Sequence, residues 1–493
     1  MVKDAQANNS LAVFTANWGG AALDPLLIQD LGGDQKHWII DPFELLDLVL
    51  MLPEIPVPDI TTESGNRILT AHIDGDGFPS RAWIPGKLFS AEVILLDVLK
   101  KYLIPQTVSV IEGEISKQGL YPNLSNELES IAKKIFNLSH VELASHTFSH
   151  PFFWDNRVNI AEKAYGDSLP IPNYTVNHDR EIFGSVDYIN NKLAPKNKRV
   201  KVLLWSGRAD PTESIVRKTE QYGLLNVNGG NTYAVNGNES MAQVYPHLLW
   251  HKNAVQVYAP VINENLYTNL WTENFSGYQR VIETFEILGF PKRLKPISIY
   301  YHMYSGVYPS SVKALHKVYD WSMNQASTPL YLSDFARRAK SLYETGLAKP
   351  LNNDADWLIV STGIKSLRLS DAFKELSLAH SNIAGWNTGP DGRYLILTDT
   401  RSLLKFQNAV ENLPYLKQVN GIVEKWQLKG NTIHFQIKSH VAMSMELENG
   451  SECRLLKSNV KLIKSLSRTG ALSYTYSKPG IYIGELECKY ASR

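Results

Sequence analysis

Between residues 67 and 334, short β-branched or apolar runs alternate with longer stretches of helical period, and no other feature restricts the fold of this sequence so far. Strands separated by helical crossovers pair in parallel, because each crossover returns the chain to the same end of the sheet. The strand-like runs are 67–73, 107–111, 140–145, 200–205, 224–227, 255–261, 297–301 and 330–332. Eight such runs predict an α/β fold built as a (β/α) barrel or a distorted relative of one. Helical patterns fall between them at 87–102, 126–136, 180–193, 212–222, 277–288 and 310–323, several opening with Ser, Thr or Asp as an N-cap would.

The texture changes at LAKPLNNDADW, a linker-like stretch that sets a domain boundary near 349–354. Short alternating runs follow, among them DWLIVS, GRYLILT, TIHFQIKS and GIYIGELE, with one helical stretch at 402–412. The expectation is a barrel domain over 1–350 and a smaller antiparallel β-sandwich over 355–493. Trp357, Trp386 and Trp426 offer that second domain a sugar platform if they reach its surface, although buried tryptophans are the usual case. Lys+Arg 50 against Asp+Glu 49 leaves a net charge of +1, so no global field attracts nucleic acid. Two cysteines, Cys453 and Cys488, exclude a cysteine-rich zinc module, and the sequence does not decide whether they pair. The stretch PFELLDLVLMLPEIPVP is broken by acids and prolines and falls short of the roughly 20 residues that span a bilayer, so no membrane span is expected. The opening MVKDAQANNSLAVF lacks a basic region and a long apolar run, so no secretory signal is expected in it.

The predicted strands end in polar clusters: His72-Ile-Asp74-Gly-Asp76-Gly, Glu112-Gly-Glu114, His146-Thr-Phe-Ser-His150, Ser206-Gly-Arg208-Ala-Asp210, Asn226-Val-Asn228, Asn263-Glu264 and Tyr301-His302. Carboxyl ends of barrel strands meet at one face, so clusters scattered in sequence converge there. Asp76, His146 and His150 make a set of two imidazoles and one carboxylate with room for water; the histidine spacing i, i+4 suggests one face of a helical turn. Zn²⁺ in such a set lowers the pKa of bound water to about 7, which leaves Asp74 as the general base. Alone, DGDG is also a turn or a calcium loop. His247-Leu-Leu-Trp-His251 repeats the histidine spacing in an apolar context without a nearby carboxylate, and reads as packing.

These residues resemble the polysaccharide deacetylase superfamily, the NodB-type carbohydrate esterases. HIDGDGF stands where that family has its Asp-Asp motif, and SHTFSH where it has His-(Ser/Thr)-x-x-His. Longer strings carry the likeness over roughly 18–343: PVPDITTESGNRI, GDGFPSRA, NENLYTNLWTENFSGYQRVIETFEILGFPKRLKPISIYYHMYSG and TPLYLSDFARR. The resemblance implies a distorted (β/α) barrel of the polysaccharide deacetylase type with Asp74 as catalytic base and Asp76, His146 and His150 as ligands of one divalent metal ion, zinc first. It also makes His302 the general acid and sets Arg208, with Pro211, in the motif whose arginine pairs with the base. Glu112, Trp154, Tyr301 and Tyr304 become candidates for contacts with the sugar. The implied substrate is an N-acetylated exopolysaccharide rich in N-acetylgalactosamine, handled in the periplasm, with an outer-membrane export or scaffold protein of the same secretion system as partner.

The sequence departs from the family pattern in two places. Gly75 splits the usual adjacent Asp pair, and no Asp-x-x-Asp-Trp motif is present to orient His302, for which Asp210 and Glu264 are the candidates. Two other classes fit part of the pattern. A catalytically inactive polysaccharide-binding or assembly protein would lose one or more of the five key side chains, and all five are present. An Fe(II) oxygenase also uses two histidines and a carboxylate, against which stand the βα alternation and the long matching strings.

Overall fold

The computed structural model describes residues 1–493 apart from 1, 4–5, 7–8, 25, 33–34, 156–165, 270–273, 352, 354, 410, 467–470 and 490–493. Its first large unit contains nine strands that position the polar clusters: β1 (Asn66–Asp74), β2 (Gln106–Val108), β3 (Val141–Ser145), β4 (Val202–Leu204), β5 (Leu225–Val227), β6 (Leu248–His251), β7 (Ala254–Val257), β8 (Ile297–His302) and β9 (Ser327–Pro329). Six of them form a parallel sheet in the order β5-β4-β3-β2-β1-β8, and β9 runs parallel to the first half of β1.

The sheet is strongly curled. Four steps of about 4.8 Å would hold β1 and β5 roughly 19 Å apart in a flat sheet, yet Asn228, just past β5, donates a 3.0 Å hydrogen bond to Asp74 at the end of β1. The result is a half-barrel, on the distorted side of the expected (β/α) barrel or distorted relative, and not a closed eight-stranded ring among the described residues. The sixth expected strand accounts for the difference: β6 and β7 form an antiparallel hairpin, closed by the two-residue turn Lys252-Asn253, so β7 joins no parallel ladder among the described residues. The last strand also sits three residues earlier than expected, because Leu332 already begins a helix.

Burial on both sides explains the composition of the strands. In β1 one face carries Leu69, Ala71 and Ile73, which share an apolar cluster with Ile94, Val98, Leu315 and Val318 of the surrounding helices. Helix α1 (Ser125–Phe136) shows the matching period, with Leu128, Ile131, Ala132, Ile135 and Phe136 buried along one stripe. The opposite face of β1 carries Thr70, His72 and Asp74, and β8 sets Ser298, Tyr300 and His302 directly beside them.

The strand Val57–Asp59, ahead of β1 in the chain, pairs with Ser366–Leu369 and so completes a four-stranded antiparallel sheet with Gly392–Leu397 and Ile383–Gly389. This layer shares its core with helix α2 (Leu332–Ser341) and the flanks of β4 and β5: Leu367, Leu369 and Leu395 cluster with Phe335, Ala336, Val202 and Val227. The helix expected at 402–412 is absent from the described part of that stretch. Arg401–Leu404 instead pairs with Trp357–Val360, and Phe406–Gln407 with Glu375–Leu376. Long-range pairing that buries Leu404 completely overrides the modest helix propensity of Leu, Lys and Gln.

Two further four-stranded antiparallel sheets share a separate core that includes Leu416, Met445, Phe435 and Tyr482. Trp357 and Trp426 are each 8% exposed and lie in different cores, while Trp386 stacks on Tyr415, so the three build no common platform. Cys453 and Cys488 are register partners and form a disulfide. Reducing it, or replacing both cysteines with alanine, is expected to lower the stability of these sheets by about 2–4 kcal/mol. A melting transition that does not move would contradict that. No helix of the described residues is long and apolar enough to cross a membrane.

Candidate metal centre

Asp74 is the last residue of β1, and the chain must then turn within hard limits. A Cβ on Gly75 would lie 2.5 Å from the backbone nitrogen of Ile111, and one on Gly77, which has φ +72°, would lie 2.7 Å from Cβ of Tyr304. Both glycines are therefore dictated by close backbone approach, which accounts for the residue that splits the two aspartates. Glu114 caps the turn by accepting from the N–H groups of Gly77 (3.2 Å) and Phe78 (3.0 Å). Burial, together with the nearby Asp76 charge, pushes the Glu114 carboxyl up to about 8.

The two histidines come together on a loop and not on a helical turn. Thr147 (φ 73°) and His150 (φ 54°) are both left-handed, and the bend is held by the His150 N–H donating to Thr147 Oγ1 at 3.0 Å. Buried Glu181 anchors the same loop by accepting from the N–H groups of Phe148 (2.9 Å) and Ser149 (2.8 Å). Non-glycine residues held at positive φ cost energy and persist where surrounding structure over-determines them. Here the loop carries both imidazoles to one carboxylate: Asp76 lies 3.0 Å from His146 Nε2 and 2.9 Å from His150 Nε2.

The donor set fits a metal ion. One ligand atom each from Asp76, His146 and His150 lies within 4.8 Å of the others, and Oδ2 of Asp76 is buried without a hydrogen-bond partner. His146 Nδ1 sits 3.0 Å from the Leu204 carbonyl, which takes the N–H and leaves Nε2 with its lone pair toward Asp76. Burial alone would raise the Asp76 carboxyl, but His150 and His146 outweigh it and hold it well below the usual carboxylate range.

Asp74 lies beside this set, 1% exposed. Its Oδ2 accepts from Asn228 Nδ2 at 3.0 Å and from the Tyr300 hydroxyl at 2.8 Å, and stands 3.7 Å from His146 and 3.8 Å from His302. Oδ1 has no partner. Burial raises its pKa, an effect opposed in part by His146 and His302.

His302, opposite Asp74 in the β1/β8 register, is oriented by Glu264. The carboxylate accepts from the His302 N–H (2.9 Å) and the Ser305 hydroxyl (2.8 Å), and its other oxygen lies 3.0 Å from His302 Nδ1. Tyr304 stacks on the imidazole with centroids 4.7 Å apart. Burial lowers the basicity of His302, but Glu264, with Asp76 and Asp74, outweighs it and lifts the imidazole to about 9. A general acid works protonated, so activity that depends on it is lost as pH rises through that value. Glu264→Gln removes the charge that raises it, so the high-pH limb of the rate profile is expected to move to lower pH, with kcat down about tenfold. An unmoved limb would remove Glu264 from this role.

The structure distributes the remaining sequence candidates differently. Glu112 is buried and forked by Arg180, and Trp154 is fully buried with Nε1 donating to the Ser206 carbonyl. Tyr301 points to the outer face of β8, near the Tyr319 hydroxyl at 3.3 Å, because strand residues alternate. None of these three can meet a sugar as placed; of the four candidates only Tyr304 stands at the centre. Arg208 is half exposed and ion-paired with Asp210 at 3.4 Å, and the hydrogen bonds to Asp74 come from Asn228 and Tyr300 instead. The sequence offers Tyr300 only as an aromatic flank of His302 and gives it no role at Asp74, although period two puts it on the same face as His302. His247 packs edge-on against Phe335 at 6.4 Å.

Fold and site together define an α/β protein whose curled parallel sheet carries, at the carboxyl ends of its strands, a two-histidine, two-aspartate centre with a carboxylate-oriented third histidine. No family model matches the chain, and no curated protein matches its sequence. Solved structures similar to it include a 4-α-glucanotransferase from Thermococcus litoralis, at 9% identity and TM-score 0.34 over 86% of this chain and 98% of that one. A candidate glycoside hydrolase/deacetylase from Parabacteroides distasonis aligns at 10% identity and TM-score 0.35 over 64% of this chain and 85% of that one. Endo-glycoceramidase II from Rhodococcus sp. aligns at 10% identity and TM-score 0.27 over 89% and 100%. Likeness at these TM-scores carries no argument about this chain, so the functional reading rests on the residues.

Proposed function

We propose that this protein is a metal-dependent N-deacetylase of an N-acetylhexosamine polymer. The observation that carries the reading is the convergence of Asp76, His146 and His150 with Asp74 and the Glu264–His302 pair around one point at the carboxyl ends of the parallel strands. A divalent ion held by Asp76, His146 and His150, with zinc favoured by that ligand set, supplies Lewis acidity toward the acetamide and a water of lowered pKa. Asp74 accepts the proton from the attacking water, with Asn228 and Tyr300 fixing its Oδ2 and leaving Oδ1 free for that proton. His302, held protonated by Glu264, gives a proton to the departing amine. The C–N bond breaks, and acetate and a free amine leave. The amine is cationic near neutral pH, so the polymer gains positive charge.

The long strings quoted above resemble the deacetylase region of PelA, which acts on the biofilm exopolysaccharide Pel. N-acetylgalactosamine is accordingly the sugar proposed, and the periplasm the compartment, beside an outer-membrane export or scaffold protein. The Cys453–Cys488 bridge supports an oxidising compartment. Incubation of N-acetylgalactosamine oligomers with zinc-loaded protein should yield acetate and primary amine in equal amounts. Amine formation without acetate, or neither product from any oligomer, would overturn the reading.

A further inference from the structure

A cavity of about 300 Å³ lies between the loops that leave β4 and β5. That volume is at the lower end of the range of about 300–1,000 Å³ for small-ligand sites. Its wall includes Arg208, Asp210, Asn231, Tyr245, Gln256 and Tyr258. It adjoins the centre through Asn228, whose side chain bonds Asp74 while the next two residues, Gly229 and Gly230, line the cavity.

The backbone here passes close against the cavity wall. Asn228, Gly229 and Gly230 are consecutively left-handed at φ 95°, 95° and 67°. A side chain at Gly230 would run into the Tyr258 ring at 2.4 Å. Gln256, 1% exposed, ties the two loops together: its Nε2 donates to the carbonyls of Ala209 (2.7 Å) and Asn228 (2.9 Å). The two glycines take this conformation without strain, so the run fixes the loop close to Tyr258, and the Gln256 amide braces it.

The chemistry of the wall selects among ligands. Arg208 and Asp210 form an ion pair at 3.4 Å, so the wall offers fork donors and acceptors with no net charge, which suits a neutral polyhydroxy ligand better than a phosphate or carboxylate. Tyr245, 44% exposed, and Tyr258, with centroids 6.5 Å apart, add two aromatic surfaces of the kind that pack on the apolar faces of sugar rings. We infer that this cavity is a subsite for the sugar residue next to the one being deacetylated, and that it gives the enzyme its preference for polymer over monomer. The inference rests on the deacetylase reading and identifies Arg208 as a substrate-contacting residue in place of a partner of the base.

The test is binding of an N-acetylgalactosamine trisaccharide to zinc-loaded Asp74→Asn protein, compared with the same protein carrying Tyr245→Ala or Arg208→Met. Both added changes are at exposed positions, and melting temperatures report whether each variant folds. Each is expected to weaken Kd at least tenfold, and in the otherwise wild-type protein to flatten the rise in kcat/KM from monomer to trisaccharide. Kd within twofold of the parent for both variants would overturn the inference, as would a trisaccharide that does not bind at all. Acetate release by wild-type protein is scored separately. Binding that depends on Tyr245 and Arg208 without acetate release would retire the deacetylase reading and leave the cavity as a sugar site.

Discussion

Asp74→Asn is expected to keep the metal and lower kcat by about 10²–10⁴, the usual contribution of a positioned general base. The substitution is isosteric, and the amide oxygen can still accept from Asn228 and Tyr300 at the position of Oδ2. Because Asp74 adjoins the Asp76, His146 and His150 set without belonging to it, metal content should match wild type. Elemental analysis and single-turnover acetate release on the same sample separate the cases. Near-full activity would mean that another group takes the proton. Loss of the metal would make Asp74 a ligand, an arrangement its proximity to Asp76 and His302 also permits.

His146→Ala is expected to lose both metal and turnover. Its imidazole is 1% exposed, pinned by the Leu204 carbonyl at 3.0 Å and by Asp76 at 3.0 Å, so no neighbouring solvent-borne group can take its place cheaply. Outer-sphere partners of metal ligands are worth about 10–100-fold in affinity, and removing a ligand itself should exceed that. Truncating a buried side chain also costs stability, so His146→Gln, which retains most of the volume, serves as the second variant. Both should bind zinc more than about hundredfold weaker than wild type in a competition titration. Retained affinity in both would displace His146 from the centre.

What the sequence disclosed follows from how local the signal was. Strand ends rich in His, Asp and Glu marked Asp74, Asp76, His146 and His302, because a buried strand rarely finishes in ionisable residues without a partner for them. The loop that brings His146 and His150 together looked helical because i, i+4 spacing is shared by helices and tight left-handed bends; only the Thr147 and His150 dihedrals distinguish them. Asn228 and Tyr300 carry no charge and no motif; Tyr300 reaches Asp74 from the adjacent strand, and Asn228 only because the sheet curls through four strands. Tyr300 was nonetheless legible from strand period, as the residue two before His302, whereas Tyr301 had to face the other way. The β6–β7 hairpin was hidden because its first strand, Leu248–His251, is a four-residue, mainly apolar run within the spaced pair His247 and His251 and reads as packing rather than as a strand. Glu264 was one of two candidates for orienting His302. Its complete burial, against an Asp210 side chain that is 34% exposed, could not be read without the fold.

The most direct measurement is acetate release from N-acetylgalactosamine oligomers by one preparation in three states, zinc-loaded, chelated and reloaded, with His150→Ala alongside. The account predicts release that disappears on chelation, returns on reloading and is absent from His150→Ala at every zinc concentration that restores wild type. Release that survives chelation, or that His150→Ala performs at the wild-type rate, would contradict a metal centre built on Asp76, His146 and His150.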